Sequence, residues 1–121
     1  MTGFLPATVT SRALAQNSFR SYSIMRFEFD PTKDATNRDK HGLSLERTND
    51  FEFITAAISQ DTRYEYAEPR VRALGLIAGR VHVLIFTPRG DCVRVMSLRK
   101  ANSREVNEYV EIQRAAAARL R

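Results

Sequence analysis

The sequence lacks several features that define whole classes of protein. It contains one cysteine, Cys92, and two histidines among 121 residues. One cysteine cannot close an intramolecular disulfide, and these three residues at unrelated spacings do not provide the four ligands of a zinc site. No apolar run approaches the ~18 residues that a membrane-spanning helix requires. We therefore expect a protein of a reducing compartment, the cytoplasm, with no metal, no other cofactor and no membrane partner.

Acidic residues are missing from the first 24 positions, where Arg12 and Arg20 are the only charged side chains. This stretch shows no sustained hydrophobic period, and it lacks the apolar core of about 7 to 15 residues found in a secretory signal. Two interpretations stay open. Residues 1–24 form a flexible extension, or the start is assigned too early and Met25 begins the working protein. In both cases we expect one domain over residues 25–121.

Basic residues outnumber acidic ones by 19 to 14, which gives a formal net charge of +5. Because Arg12 and Arg20 supply +2 of this charge, the rest of the chain carries +3. Such a balance is typical of proteins that bind nucleic acid or an acidic partner, and also of an ordinary solvated surface. The position of the cations therefore matters more than their sum.

The first part of the domain predicts a strand and then a helix. Alternation of polar and apolar residues over residues 26–29 indicates the strand. Asp30 followed by Pro31 is a typical helix start, because the carboxylate accepts from free backbone N–H groups and proline suits the first turn. The helix should cover residues 31–40 and end at Gly42, where glycine permits a left-handed backbone.

The middle of the chain predicts mainly strands. Ser44 should cap a second short helix, whereas residues 51–57 show no clear pattern. Three apolar segments separated by turn residues then predict strands over residues 70–77, 81–87 and 93–98. Strict alternation in the last of these strands would place Arg94, Met96 and Leu98 on one face and Val93, Val95, Ser97 and Arg99 on the other.

A capping box formed by Asn102 and Glu105 predicts a final helix over about residues 103–120. Its buried face is expected to contain Val106, Tyr109, Val110, Ala117 and Leu120. Strands in a meander with helices at both ends predict an α+β fold. In this fold a small antiparallel β-meander sheet packs against N-terminal helices and a C-terminal helix.

Cationic side chains near predicted loops and strand ends are the first candidates for function, because residues from separate segments can converge there on one cleft. They are Arg63, Arg70, Arg94, Arg99 and Lys100. One interpretation is phosphate binding. The others are a solvated strand end and ion pairs with neighbouring acids or a partner protein. Lys33 and Lys40 share nearly one helix face, which suits either a nucleic-acid backbone or a soluble helix surface.

His41 is a candidate acid or base, because an unperturbed histidine pKa of about 6.5 suits proton transfer near neutrality. Its alternative role is to cap the helix end before Gly42. Ser97 has no nucleophile-elbow motif around it and is expected to hydrogen-bond phosphate or backbone. Tyr66 is a candidate for stacking on a base. His82, within an apolar strand, is expected to be structural.

Four stretches of the chain carry a combined pattern. They are residues 29–33 with Asn37, 40–42 and 44–46; Asp61 and Arg63 with residues 66–70; Gly75 with the strand pair after it; and residues 94–101 with Glu105 and Tyr109. This combination resembles the BrnT family, the ribonuclease half of a bacterial type II toxin-antitoxin pair with a RelE-like fold. The main departure is Ala67 where the family has glycine, which would matter if that position needs a positive φ.

The resemblance implies a metal-independent endoribonuclease that inhibits translation and growth. Such cleavage needs a base for the 2′-OH, an acid for the leaving oxygen and cations for the phosphorane. The expected catalytic residues are Arg63, Arg99, Lys100 and His41. The expected RNA-binding residues are Lys33, Lys40, Arg70, Arg94, Ser97 and Tyr66. The implied partners are RNA and a BrnA-like antitoxin, with operator DNA reached only through the antitoxin. The alternative is a non-catalytic module that binds RNA or antitoxin on the same fold.

Overall fold

The computed structural model describes residues 26–63 and 65–120, so the expectation for residues 1–24 lies outside the described part. The elements follow one another along the chain without an internal repeat. They are β1 (Arg26–Glu28), α1 (Pro31–His41), a 3₁₀ helix (Leu45–Asp50), β2 (Glu52–Gln60), β3 (Val71–Ile77), β4 (Arg80–Arg89), β5 (Cys92–Lys100) and α2 (Ser103–Arg119). The five strands form one mixed sheet in the order β1-β5-β4-β3-β2. The α+β prediction, with helices at both ends, is confirmed.

The sheet differs from the expected antiparallel meander at its first strand. β2 to β5 are antiparallel neighbours, but β1 pairs in parallel with β5, with Phe27 opposite Val93. The prediction was wrong here because the partner of β1 lies more than 60 residues away, and no local signal fixes so distant a pairing. Of the unclear segment at residues 51–57, Phe51 caps the 3₁₀ helix and the rest belongs to β2, where the pairing shifts between Glu52 and Ala57. This irregularity removes the alternation that would have indicated a strand.

Local signals place both helices where the sequence predicts them. The Asp30 side chain accepts from the Thr32 backbone N–H at 2.9 Å, and Gly42 ends α1 with φ 71°. At α2, the Asn102 side chain accepts from the Glu105 N–H, and the Glu105 carboxylate accepts from the Asn102 N–H, each at 2.9 Å. The predicted capping box is thus confirmed.

Apolar residues pack on both faces of the sheet. The larger cluster lies on the face that carries the 3₁₀ helix and is built from residues such as Leu45, Phe53, Phe86 and Leu98. The smaller cluster includes Tyr109 of α2, which is 7% exposed as expected. Val106 also packs against this cluster, but the expectation was wrong for Val110, Ala117 and Leu120, because the buried positions of α2 end at Tyr109 and Leu120 is 88% exposed.

A bulge in β5 changes which side chains share a face. Phe86 pairs with Val95, but the next residue back along β4, Ile85, pairs with Ser97, so Met96 is the extra residue. Strict alternation was therefore wrong beyond Val95, and Leu98 joins Val95 in the larger cluster. The bulge thus sets the faces of the last residues of β5, which line the candidate site.

One side chain attaches α1 to the edge of β5. The Asn37 amide donates to the carbonyl oxygens of Leu43 and Leu98 at 2.8 and 2.7 Å, and its oxygen accepts from the Leu98 N–H at 3.1 Å. Asn37 is buried, so these bonds satisfy polar groups that water does not reach. The position of α1 relative to β5 is therefore fixed.

The turn between β3 and β4 offers a test of local strain. Ala78 has φ 51° and Gly79 has φ 78°, the backbone that a two-residue hairpin requires at both central positions. Alanine is disfavoured there by about 1 to 2 kcal/mol, whereas asparagine tolerates it. We expect Ala78→Asn to raise the free energy of unfolding by about 1 kcal/mol in urea titrations followed by circular dichroism. The same substitution at Ala115, within α2, should not stabilise the protein.

Candidate functional site

One surface groove is lined by basic side chains from several elements. Its lining residues are His41, Gly42, Leu43, Arg47, Ile77, Ala78, Arg80, His82 and Lys100, and its volume is about 460 Å³. We call it the basic groove. No carboxylate belongs to this described lining, although Arg47 pairs with Asp50 at 3.0 Å. Two imidazoles and three cations around one concave surface make it a strong candidate for binding an anion.

The local fold explains why these side chains meet. α1 ends at Gly42 and leaves His41 at the rim, and the tight hairpin reverses the chain so that Arg80 follows it directly. Lys100, at the end of β5, lies opposite His82 in the β4–β5 ladder. Among the described residues, neither Arg80 nor Lys100 has an ion pair. Their charges are therefore available to a ligand.

His82 is buried within this cationic surrounding, with 4% of its surface exposed. Its Nδ1 lies 2.8 Å from the backbone oxygen of Arg80. Burial is the main cause that lowers the pKa of His82, and the charges of Arg80, Arg47 and Lys100 lower it further. The hydrogen bond to the Arg80 backbone oxygen acts in the opposite direction and raises the pKa. Burial and these charges thus disfavour the protonated form of His82.

His41 lies at the junction of two grooves. Besides the basic groove it lines a second one of about 360 Å³, whose other residues are Asp30, Thr32, Lys33, Thr36, Asn37, Lys40, Met96 and Ser97. We call this the lysine groove. Burial, followed by the charges of Arg99 and Lys40, lowers the pKa of His41. Within the described chain its ring makes no hydrogen bond, so the structure gives no support to the helix-capping role.

Arg99 is held by a carboxylate. Its guanidinium donates to both oxygens of Glu105 at 2.9 and 2.8 Å, and Arg72 lies 3.9 Å from the same carboxylate. The hydrogen bonds from Arg99 are the main cause that lowers the pKa of Glu105 to about 2. Because Glu105 also closes the capping box of Asn102, Arg99 fixes the first turn of α2.

The predicted residues of the loop before β3 also engage one another. Arg63 donates to both oxygens of Asp61 at 2.9 and 3.0 Å, and the Tyr66 hydroxyl donates to Asp61 at 3.0 Å. The Arg63 hydrogen bond is the main cause that lowers the pKa of Asp61 to about 2. The guanidinium of Arg70 lies over the Tyr66 ring, 4.2 Å from its centroid. Ala67 needs no positive φ, because Ala78 is the only described residue besides glycines that has one.

The structure therefore brings together only part of the expected set. Lys33, Lys40, His41 and Ser97 share the lysine groove, and His41 and Lys100 share the basic groove. Arg94 instead pairs with Glu28 at 3.0 Å, across the parallel β1–β5 pairing that the sequence did not indicate.

Three residues of the basic groove were missed: Arg47, Arg80 and His82. Arg47 and Arg80 had no motif to mark them, and His82 was expected to be structural. The tight turn before Arg80 sets only the β3–β4 register, whereas His82 lies opposite Lys100 because of the β4–β5 pairing and its bulge, which no motif at His82 indicates.

Comparison with known proteins bears on this site. No curated protein gives a significant match to the chain. No helix among residues 26–63 and 65–120 is long and apolar enough to cross a membrane. Residues 29–105 match the family model described as "Ribonuclease toxin, BrnT, of type II toxin-antitoxin system". This match spans both grooves and more than half of the sequence, and the chain therefore belongs to the BrnT family of ribonuclease toxins.

Proposed function

We propose that this toxin cleaves RNA without a metal ion, at a scissile phosphate held in the basic groove. The observation that carries the proposal is the convergence there of Arg47, Arg80 and Lys100 with two imidazoles and no carboxylate in the described lining. Such a surface attracts a phosphodiester and can neutralise the charge that develops on its oxygens during cleavage. A divalent cation would be repelled by the same charges, which supports the metal-independent route.

We further propose that the RNA backbone continues from the basic groove into the lysine groove. The two grooves meet at His41, and Lys33 and Lys40 line the second one. Successive phosphates of one strand would then contact cations on both sides of His41. Ser97 lines the lysine groove, and in this proposal its hydroxyl donates a hydrogen bond to a phosphate oxygen.

In this proposal His41 transfers a proton at the scissile bond, since it lines both grooves and carries no described hydrogen bond of its own. Lys100 contacts the phosphate directly. Arg99 acts as a positioning residue. Its guanidinium is hydrogen-bonded to Glu105, and the positive charge of Arg99 lowers the pKa of His41. RNA-contacting or catalytic roles for Arg63, Tyr66, Arg70 and Arg94 stay predictions, and each side chain has a partner within the chain.

A type II system pairs its toxin with a protein antitoxin, and we propose a BrnA-like antitoxin for this chain. A segment bearing carboxylates would fit the basic groove by charge and would exclude RNA from it. Contact with operator DNA only through the antitoxin, and a cytoplasmic location, stay predictions.

The test is cleavage of a mixed-sequence RNA by the purified protein in EDTA, with and without translating ribosomes. We expect cuts that leave a 2′,3′-cyclic phosphate and a 5′-hydroxyl, because the attacking nucleophile is the adjacent 2′-OH. RNA binding should weaken steeply as salt increases, since the contacts are made to phosphates.

Two results would contradict the proposal. Cleavage that stops in EDTA and returns with Mg²⁺ would show that a metal ion is needed. Salt-dependent binding of RNA that stays uncut in both samples, with antitoxin binding intact, would favour the non-catalytic module.

A further inference from the structure

His82 is the buried ionisable group whose role the proposed function leaves open. It lies in the middle strand of the sheet, opposite Gly75 of β3 on one side and Lys100 of β5 on the other. It is buried, yet its ring lines the basic groove beside Lys100 and Arg80. The ring is therefore within reach of a group bound there.

The hydrogen bond of His82 determines where its lone pair is. A carbonyl oxygen can only accept, so the Nδ1 that lies 2.8 Å from the Arg80 oxygen must carry the proton. In the neutral ring the lone pair is then on Nε2. Among the described residues the ring makes no second hydrogen bond, so Nε2 is available to a group bound in the basic groove that the ring lines.

The charged surroundings keep this lone pair available. The groups that face the ring are Arg80, Arg47 and Lys100, with His41 on the same groove. All are basic, so they oppose protonation of the imidazole, and burial acts in the same direction. A neutral imidazole with a fixed tautomer, beside cations that bind phosphate, is the arrangement that a general base requires.

We propose that His82 is the general base of the RNA cleavage reaction, with Nε2 accepting the proton of the attacking 2′-hydroxyl; the proposal rests on the proposed function. As that proton moves to Nε2, the 2′-oxygen forms a bond to phosphorus and the bond from phosphorus to the 5′-oxygen breaks. His41, in its protonated imidazolium form, gives its proton to the leaving 5′-oxygen, so the reactive state has His82 neutral and His41 charged. The products are a 2′,3′-cyclic phosphate and a 5′-hydroxyl, and the reaction needs no other reactant.

The test compares wild-type protein with His82→Asn in EDTA. The asparagine amide can still donate to the Arg80 oxygen, but it cannot accept the hydroxyl proton. We expect kcat/KM near neutral pH to fall by about 10² to 10⁴-fold, with RNA affinity nearly unchanged. In wild-type protein the rising limb of the pH profile of kcat/KM should titrate below the ordinary histidine value, the falling limb should report loss of the His41 proton, and His82→Asn should lose the rising limb. Arg114→Ala, which removes an exposed charge of α2, is the matched control and should keep both rate and profile.

The outcomes separate this proposal from the proposed function. If wild-type protein and His82→Asn cleave RNA equally and with the same pH profile, His82 is not the base and the ribonuclease function stands. If wild-type protein cleaves nothing, both proposals fail. Should His82→Asn not fold, ¹⁵N-histidine NMR of the wild-type protein decides. We expect an Nδ1–H tautomer and shifted His82 signals with a 2′-deoxy oligonucleotide, and unshifted signals at saturation would overturn the proposal.

Discussion

Replacing Lys100 with alanine is expected to lower the rate of RNA cleavage by about 10² to 10³-fold, the usual cost of removing one preorganised group that stabilises transition-state charge. Lys100 has no described ion pair and lines the basic groove, so its ammonium group has no competing partner within the described chain. The same variant should lower the salt slope of RNA binding by about 1, because one phosphate contact is lost. Single-turnover cleavage and binding at several salt concentrations measure the two effects.

The matched control is again Arg114→Ala, which removes one positive charge outside both grooves. It should leave the cleavage rate and salt slope unchanged. An equal loss of rate in both variants would mean that net charge, rather than the position of Lys100, drives cleavage. An unchanged rate in Lys100→Ala would place the reacting phosphate elsewhere.

The second large effect is expected on stability. Glu105→Gln should lower the free energy of unfolding by about 2 to 3 kcal/mol, since it removes the charge that pairs with Arg99 and Arg72 and weakens the capping box at Asn102. The pKa of Glu105 falls from an ordinary value of 4.5 to about 2, which corresponds to about 3 kcal/mol before solvent screening of the pair is considered. Urea unfolding followed by circular dichroism gives the measurement.

The pH dependence of unfolding identifies this carboxylate. Because its pKa is lowered in the folded protein, its contribution is complete above pH 4.5 and is lost as the pH falls towards 2. Asp61 loses its contribution in a similar range, so the acid slope should become smaller in Glu105→Gln without vanishing. Glu108→Gln, which breaks the more exposed pair with Arg72, should cost less than about 1 kcal/mol. Equal losses in the two variants would contradict the assignment.

Helix ends were predictable because their signals are local. The Asp30 cap, the left-handed Gly42 and the capping box at Asn102 each depend on residues within one turn, and all are present. The parallel pairing of β1 depends on a partner more than 60 residues away, which no local window contains. The bulge at Met96 depends on how β5 pairs with β4 rather than on the alternation within β5 itself.

The residues of the candidate site also fall into those that a local sequence signal marks and those that only the three-dimensional structure brings together. His41 and Lys100 were recognised because they lie at element ends, where a basic or ionisable side chain is conspicuous. His82 was not, since its place in the basic groove comes from a register that sets it opposite Lys100, and its tautomer from a backbone oxygen that accepts from Nδ1. Arg94 and Arg99 looked equally exposed in the sequence, and only the three-dimensional structure reveals Glu28 and Glu105 as their partners.

The amide of Asn37 has a consequence for self-association. β1 pairs with β5 only as far as Arg94, so the backbone of β5 beyond it would present free hydrogen-bonding groups to another molecule. Because Asn37 binds both the N–H and the carbonyl of Leu98, a neighbouring chain cannot extend the sheet there. One side chain of a helix thus takes the place of a strand and protects this end of the sheet from aggregation.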